Sequence, residues 1–431
     1  MPVVLETLLS YLIGMMDTVM VSSAGETAVS AVSMVDAISV LFINIFAALG
    51  TGGAAICGQY LGRGNEDRAR RASEHLTIIL FASSFVIASI LLIMQSQILE
   101  FLYGSAEKAV RDNCYTYYHI VMFSIPCIAI YNGLAAVFRT TGDSKTPLII
   151  SAAMNIINIV GNATLIFVFH LGVAGVAIPT LLSRAIAMIA IIACALKKDF
   201  MLNIRKIAVH KPESKLLKDI FGIGVPNGIE GGMFQFGKLI LMSLVSTLST
   251  ASITANAVGN AVGPVHLVIG ISVNNVLIAV VSRCAGAGDY RQARWYVRYF
   301  MKFTVIYQTL VNIGLILLIP FIARIYSLSE ETTVIASEIM FIHSAGTIFL
   351  WPCAFMYNTA MRAAGDSQYA MWISTISMWL CRVGGAYLLI KVFNVGVLGV
   401  WIAWNVDWVF RMCFFIPRYL GHKWEEKAVK D

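Results

Sequence analysis

Twelve apolar stretches dominate this chain, and each is long enough to cross a lipid bilayer as a helix. A membrane-spanning helix needs about 20 consecutive, mostly apolar residues. Only 13% of the 431 residues are charged, whereas soluble domains carry about 25% charged residues. We therefore predict an all-α polytopic membrane protein with 12 transmembrane helices. The predicted spans are 1–22, 28–60, 69–98, 107–138, 145–169, 173–196, 216–247, 252–285, 292–325, 333–362, 368–392 and 396–417.

Lys and Arg residues are concentrated in every second loop, which predicts the orientation of the chain. The stretches 63–71, 197–218 and 283–298 are rich in these residues, whereas loops such as 22–27 and 170–172 contain none. Because cytoplasmic loops carry an excess of Lys and Arg, we expect both termini in the cytoplasm and a location in the cytoplasmic membrane. Either a short cytoplasmic lead is missing before Met1-Pro2, or the start lies unusually close to the membrane.

The chain repeats itself at a nearly constant offset, which predicts two related halves. Each half has six spans, so we expect two six-helix lobes related by a pseudo-two-fold axis along the membrane normal. We place the lobes at 1–197 and 216–431, with a cytoplasmic linker at 198–215. The matching segments are GQYLGRGNEDRAR (58–70) with SRCAGAGDYRQAR (282–294), RTTGDS (139–144) with RAAGDS (362–367), and GVAGVAIP (172–179) with GVLGVWIA (396–403).

Composition excludes several functional classes. The net charge of +7 fits basic loops at an anionic membrane surface, and no basic face with interleaved aromatics predicts a nucleic-acid partner. The eight cysteines are scattered and form no cluster with His, so the sequence gives no sign of a Cys/His metal site. A membrane enzyme would need clustered catalytic groups, such as His with Asp or Glu at a membrane face. The sequence shows no such cluster. We expect no cofactor, no enzymatic activity and a monomer.

Asp17 stands in the apolar stretch LLSYLIGMMDTVMV (8–21). An ionised Asp at the centre of a membrane helix costs roughly 2.5–3.5 kcal/mol on insertion scales. Two interpretations are open: Asp17 reaches the headgroups from the outer end of the helix, or it forms an ion or proton site inside the helix bundle. The other polar residues of the spans favour the ion site.

Three asparagines line one face of the fifth span. Asn155, Asn158 and Asn162 are spaced i, i+3 and i+7, so they share one side of the helix. A single Asn usually joins two helices, whereas three in a stripe predict a polar seam with a coordinating or hydrogen-bonding role. Thr180 in the sixth span offers another oxygen for a cation, although its hydroxyl can also bond to its own helix.

Two further intramembrane acids, Asp36 and Glu230, have two interpretations each. Asp36 is a substrate counter-charge or a residue of helix packing. Glu230 is a substrate group or an acid neutralised by Lys238 or by a neighbouring helix. Arg382 in span 11 and Asp407 in span 12 are expected to form a structural charge pair.

Together these segments resemble the multidrug and toxic compound extrusion (MATE) family, DinF-like type, of the multidrug/oligosaccharidyl-lipid/polysaccharide (MOP) flippase superfamily. The resemblance covers nearly the whole chain, and the order of the motifs makes it specific. The motifs are GMMDTVMV (14–21), ETAVSAVSM (26–34), GQYLGRGN (58–65), RTTGDSKTP (139–147), NIVGNATLIF (158–167), GVAGVAIPT (172–180), PNGIEGGMFQFGK (226–238) and RAAGDS (362–367).

The resemblance implies a V-shaped bundle that exports organic cations in exchange for protons or sodium. It also implies an ion-coupling site, and the matching residues are Asp17, Asn158, Asn162 and Thr180. Asn162 departs from the family pattern, which carries Asp there. Since Asn does not titrate, the matched site keeps one carboxylate. The proline of the family's first span corresponds to Pro2 at the edge of this chain, which puts a bending mechanism in doubt.

We therefore expect an ion-coupled antiporter, driven by H⁺ or Na⁺, that exports amphipathic organic cations. Asp36, Asn155 and Glu230 are the candidate substrate-binding residues, and no metal is expected beyond Na⁺ at the ion-coupling residues. The alternative is a flippase or exporter of lipid-linked or anionic metabolites with the same fold, which Lys238 and Arg382 would favour.

Overall fold

The computed structural model describes residues 2–9, 20–21, 25–104, 107–207, 213–326 and 328–428. The described part of the chain is helical throughout and contains no β-strand. Most of the first predicted span, including Asp17, lies outside these residues. The helices are α1 (residues 2–9), α2 (Glu26–Gly62), α3 (Glu66–Ile93), α4 (Gln95–Tyr103), α5 (Lys108–Met122), α6 (Ile125–Thr141), α7 (Lys145–Ala163), α8 (Ala174–Ala195), α9 (Ser214–Val245), α10 (Thr250–Gly286), α11 (Tyr290–Leu317), α12 (Ile319–Ile325), α13 (Glu330–Phe349), α14 (Trp351–Ala363), α15 (Ser367–Ser377), α16 (Gly385–Lys391) and α17 (Leu398–Leu420).

Ten of the predicted spans correspond to helices that are long and apolar enough to cross a membrane. Nine are single spans within the described residues, and the tenth is the bent pair of α5 and α6. Of the other two, span 1–22 lies mostly outside the described residues. Span 216–247 corresponds to α9, which has 32 residues but is interrupted by glycines and charges.

Several spans are broken where the sequence contains proline. Helices α5 and α6 meet at an angle of 43°, and Pro126 stands in the first turn of α6. Because proline has no N–H to donate, it fits the first turn of a new helix but not the middle of a continuous one. Pro320 and Pro352 occupy the same position in α12 and α14. The predicted spans 107–138, 292–325 and 333–362 are therefore helix pairs.

Two spans contain a π-helical turn. Helix α7 continues into the π-helical segment Thr164–Val168, and Met378–Gly384 connects α15 with α16. Such turns are rare and occur often at functional sites. Both segments belong to the spans that carry the polar residues described below.

The chain divides into two compact units, residues 1–228 (the first unit) and residues 229–431 (the second unit). The boundary falls within α9, because residues 214–228 pack against the first unit. A Cβ atom on Gly52 would lie only 2.7 Å from the Cα atom of Gly224, and the hydroxyl of Tyr60 donates to Asp219 at 3.3 Å. The lobe boundaries inferred from the repeat stay a prediction.

The backbone repeats the same unusual conformations in both units. His170 and Asn394 have φ values of 52° and 53°, although neither is glycine, and Gly172 and Gly396 also have positive φ. Such φ values are uncommon outside glycine. The two members of each pair are separated by the 224 residues of the sequence repeat. The sequence duplication therefore extends to the local backbone structure.

Large apolar side chains cover the outside of the spans. Phe81 and Phe85 of α3 and Ile149 and Ile156 of α7 are more than half exposed. Scattered exposed apolar residues are common in soluble proteins, but continuous exposed faces mark contact with an apolar phase. These faces fit the lipid contact expected for a polytopic protein.

Candidate functional site

The asparagine seam, defined as Asn155, Asn158 and Asn162 of α7, is buried inside the first unit. Their side chains are 9%, 7% and 0% exposed. The amide of Asn162 donates to Oδ1 of Asn158 at 3.3 Å. The amide of Asn158 donates to Oγ1 of Thr180 on α8 at 3.2 Å. The structure thus brings together three of the four predicted ion-coupling residues.

A close crossing of α7 and α8 makes these contacts possible. A Cβ atom on Gly161 would lie 2.7 Å from Cβ of Pro179, so a larger residue at 161 would push the helices apart. Pro179 stands inside α8 and leaves one carbonyl of that helix without its usual donor. Gly161 and Pro179 are adjacent to Asn162 and Thr180, and they therefore set the distance between the seam and α8.

Thr180 forms the bond to its own helix that was considered from the sequence, and a second bond to the seam. Its hydroxyl donates to the carbonyl oxygen of Val176 at 2.9 Å, which is the bond to its own helix. It also accepts from Asn158. The bond to Val176 fixes the rotamer of Thr180 and directs a lone pair of its oxygen to the seam.

The seam offers amide and hydroxyl oxygens, which are ligands that hard cations such as Na⁺ accept. Asp17, the fourth predicted member, lies outside the described residues. Asn155 is one turn away from Asn158, and within the described part of the chain its buried amide nitrogen has no hydrogen-bond acceptor. The roles of these residues in ion coupling and substrate binding stay predictions.

Asp36 lies on α2 of the first unit. The hydroxyl of Tyr117 on α5 donates to its Oδ1 at 3.1 Å. This bond connects two helices, and the side chain of Asp36 is half-buried. Both interpretations of Asp36, as a substrate counter-charge and as a packing residue, agree with this position.

Glu230 forms ion pairs with arginines of two other helices. Arg362 of α14 donates to its Oε2, and Nη1 of Arg411 on α17 lies 3.7 Å from its Oε1. In the first unit, Nη2 of Arg139 lies 2.6 Å from Glu6. Glu6 and Arg139 occupy the repeat positions of Glu230 and Arg362. The arginines neutralise the partly buried Glu230 without any need for a ligand, and its substrate role stays a prediction.

The predicted pair of Arg382 and Asp407 is confirmed. Nη2 of Arg382 donates to Oδ2 of Asp407 at 2.5 Å, and the two side chains are 1% and 0% exposed. Nε of Arg411 donates to Oδ1 of the same carboxylate at 3.0 Å. Asp407 thus holds two guanidinium groups, and Arg411 connects it to Glu230.

The pair lies at the second-unit counterpart of the seam. Gly385 faces Ala403, with 3.5 Å between the two Cβ positions, and these residues are the repeat counterparts of Gly161 and Pro179. Arg382 is the counterpart of Asn158, and its guanidinium lies 4.5 Å from the ring centroid of Trp404. Trp404 is the counterpart of Thr180. The same helix crossing therefore carries a fixed positive charge in the second unit.

Sequence reasoning missed the partners of Glu230 and a buried histidine pair. The i, i+4 spacing of Asp407 and Arg411 was a signal for their ion pair. The rings of His266 and His343 lie 5.0 Å apart and are almost completely buried. No pattern in the sequence places these two histidines together. Within the described residues no group of three or more His, Cys, Asp or Glu side chains could hold a metal ion.

Comparison with known proteins agrees with the duplicated architecture. The family model described as MatE matches residues 2–164 and, again, residues 226–388. The chain is 24% identical to a protein of Thermotoga maritima named "Probable multidrug resistance protein NorM", over 100% of this chain and 92% of that protein. It is 24% identical to a protein of Shewanella oneidensis named "FAD transporter", over 90% of this chain and 83% of the relative.

A solved structure has the same fold. It is described as the outward-facing conformation of a multidrug resistance MATE family transporter of the MOP superfamily. The match has a TM-score of 0.88 at 18% identity and covers 98% of this chain and 94% of the other. This match confirms the all-α polytopic fold with twelve helices in two lobes, and the two matches of the family model confirm the repeat. The chain therefore belongs to the MatE family, the multidrug and toxic compound extrusion family of multi-pass membrane transporters.

Proposed function

We propose that this protein is an ion-coupled antiporter that exports amphipathic organic cations across the cytoplasmic membrane. The observation that carries the proposal is the buried chain of hydrogen bonds from Asn162 through Asn158 to Thr180. Burying several amides inside a membrane span is costly, so polar residues that are kept there mark a candidate functional site. The protein acts as a transporter rather than an enzyme, as a monomer, and with both termini in the cytoplasm.

In the proposed mechanism, Asp17 takes the coupling ion. Asp17 is the one carboxylic acid among the four predicted ion-coupling residues, so it is the group of this set that can load a proton. Alternatively, oxygens of Asn158, Asn162 and Thr180 join Asp17 around Na⁺. The ion binds one conformation of the transporter better and the substrate binds another, so each shifts the equilibrium between them.

Asp36, Asn155 and Glu230 are the proposed substrate-binding residues. A cationic drug needs a counter-charge in a low-dielectric cavity. Asp36 accepts a hydrogen bond from Tyr117 and interacts electrostatically with Arg184. Glu230 faces two arginines, so each of the two acids already has a cationic neighbour with which a drug would compete.

Export of anionic metabolites is the second candidate function. Positive charge exceeds negative charge among the deep residues of the second unit, where Arg362, Arg382 and Arg411 face Glu230 and Asp407. Lys238 adds another cation, with Nζ lying 5.9 Å from the ring centroid of Phe234. The relative named as an FAD transporter supports this candidate, since FAD is an anion.

Efflux from vesicles with imposed proton or sodium gradients tests the proposal. We expect wild-type protein to move a cationic dye under one gradient, and Asp17→Asn to abolish that movement while the protein still folds and inserts. Asn is nearly isosteric with Asp but cannot bind a proton at neutral pH. Full efflux by a normally expressed Asp17→Asn protein would remove Asp17 from the coupling mechanism. Transport of an anionic substrate alone would favour the second candidate.

A further inference from the structure

Helix α11 carries an exposed row of cations that the transport mechanism does not use. Arg291, Arg298 and Lys302 are exposed and spaced i, i+7 and i+11, so they share one face of the helix. Among the described residues none of them forms an ion pair with an acid. The nearby Arg294 differs, because it donates to Glu425.

Two stacked aromatic rings lie on the same face. Trp295 and Tyr299 stand four and eight residues after Arg291, and they are 57% and 52% exposed. Their ring centroids lie 5.4 Å apart with an interplanar angle of 8°. Trp and Tyr are enriched where a membrane protein meets the headgroup layer, because they combine an apolar ring with a polar group. The two rings form a flat platform beside the cations.

Beyond the platform the large exposed side chains of this face are apolar. Ile306, Leu310, Ile313 and Leu317 are all about half exposed or more, and no charged residue occurs between 303 and 317. The cations therefore occupy the first 16 Å or so of the helix. The apolar stripe follows directly, in the order in which a lipid presents its headgroup and its acyl chains.

The first unit has no such surface at the matching place. The repeat counterparts of Arg291, Arg298 and Lys302 are Asp67, Glu74 and Ile78. Glu74 is buried and accepts from the backbone N–H of Lys206 at 3.2 Å. Acidic residues and the chain after α8 thus neutralise and cover this end of α3, so the basic surface is particular to α11 and does not follow from the repeat.

We propose that this face of α11, comprising Arg291, Trp295, Arg298, Tyr299 and Lys302, binds an anionic phospholipid. The guanidinium and ammonium groups hold the headgroup phosphate, the rings pack along the glycerol region, and the acyl chains follow the apolar stripe. Clusters of Lys and Arg beside a membrane span recognise anionic headgroups in this way. The occupant is a lipid rather than free phosphate, since only a lipid covers the stripe and the cations together.

Native mass spectrometry of the purified full-length protein tests the site. It measures how much phosphatidylglycerol and how much phosphatidylcholine the protein retains. We expect wild-type protein to retain phosphatidylglycerol preferentially. Each cation near a membrane surface contributes roughly a fivefold effect on binding. Arg298→Gln combined with Lys302→Gln should therefore lower phosphatidylglycerol retention about 25-fold.

The matched control removes two other exposed cations, by Lys197→Gln combined with Lys198→Gln. These residues follow α8 in the first unit and are not members of the α11 face, so we expect retention to fall much less. A third variant, Trp295→Ala, should lower retention of both lipids. Equal losses in the two double variants, or equal retention of both lipids by wild type, would overturn the site. If the double variant of α11 does not fold, Lys302→Gln alone makes the same comparison with Lys198→Gln.

Discussion

The two units use the same helix crossing for different chemistry. In the first unit, Gly161 and Pro179 bring α7 against α8, and neutral amides and a hydroxyl meet there. In the second unit, the counterpart positions place the guanidinium of Arg382 against Trp404 and bind it to Asp407. A duplicated backbone therefore accommodates neutral oxygens in one copy and a fixed cation in the other.

This difference predicts where a coupling ion can bind. A guanidinium at the place of Asn158 repels a second cation, and the repulsion is strong where the dielectric constant is low. The neutral seam carries no such charge. We therefore expect the coupling ion in the first unit, while the second unit keeps a permanent internal charge pair.

The largest expected effect comes from removing the charge of Asp407. In Asp407→Asn, Arg382 and Arg411 lose their shared carboxylate inside the bundle. Breaking a buried ion pair by removing one partner costs about 3–5 kcal/mol. We expect little folded protein, measured by size-exclusion chromatography of detergent-solubilised protein after stepwise heating.

The matched change in the first unit is Ser183→Ala, because Ser183 is the repeat counterpart of Asp407. Its hydroxyl donates to the carbonyl oxygen of Thr180 at 3.2 Å, and such a bond contributes about 1 kcal/mol. Similar thermal stability of the two variants would show that the charge pair has no greater structural weight than a neutral hydrogen bond.

We expect an effect of intermediate size from Glu230→Gln, and its pattern should differ from that of Glu6→Gln. Both acids pair with the arginine of the repeated RTTGDS/RAAGDS motif, so both Gln variants should lose some folded protein. If Glu230 also binds substrate charge, Glu230→Gln should weaken export of a cationic substrate about tenfold more than export of a neutral one. Export assays normalised to protein level make the measurement.

Glu6→Gln is the control for that assay, and we expect it to reduce both substrates alike. Selective loss of the cation in Glu230→Gln alone would assign the substrate contact to the second unit. If Glu230→Gln reduced export of the two substrates equally, Glu230 would have no substrate-binding role, and its function would be the ion pair alone.

The smallest expected effect concerns Asp143 and Asp366, the two aspartates of the same motif. Asp143 caps the start of α7, where its Oδ1 accepts from the backbone N–H groups of Lys145 and Thr146, each at 3.0 Å. Asp366 instead accepts from Arg418 at 2.9 and 3.2 Å. Asp143→Ala should cost about 1 kcal/mol, as is typical of a lost helix cap.

The pH dependence of that contribution has a definite sign. Partial burial raises the pKa of Asp143, but hydrogen bonds from Thr146 and Lys145 outweigh it and hold the pKa below the ordinary value of 3.8. The stabilisation is therefore complete above the ordinary pKa and is lost as the pH falls through the lower, folded-state pKa. Thermal stability measured between neutral and acidic pH should fall less in Asp143→Ala than in wild type, and parallel curves would contradict the capping role.

Much of the fold could be predicted because the membrane restricts the choices. A long apolar stretch in lipid must satisfy its own backbone hydrogen bonds, so it forms a helix. The repeat was visible because short motifs recur at one offset. The spans that contain Pro126 and Pro352 were predicted as continuous helices, because a proline is also compatible with a kinked continuous span.

The site could be predicted only in part. The i, i+3, i+7 spacing was enough to place Asn155, Asn158 and Asn162 on one face. It could not show that Asn158 reaches Thr180, because that contact depends on how closely Gly161 lets α8 approach. The basic row of α11 was equally visible as charge, but its lack of acidic partners depends on which chain segments cover the helix.

The sequence by itself determined the helical spans, the duplication and the face of each polar residue, since these follow from hydropathy and helix geometry over short distances. Apart from the expected pair of Arg382 and Asp407, only the tertiary structure decided which charges neutralise one another. Glu230 meets Arg362, which is 132 residues away, and Arg411 of α17 lies 3.7 Å from the same carboxylate. Such pairs form wherever packing brings charges out of water together, and spacing along the chain does not encode that proximity.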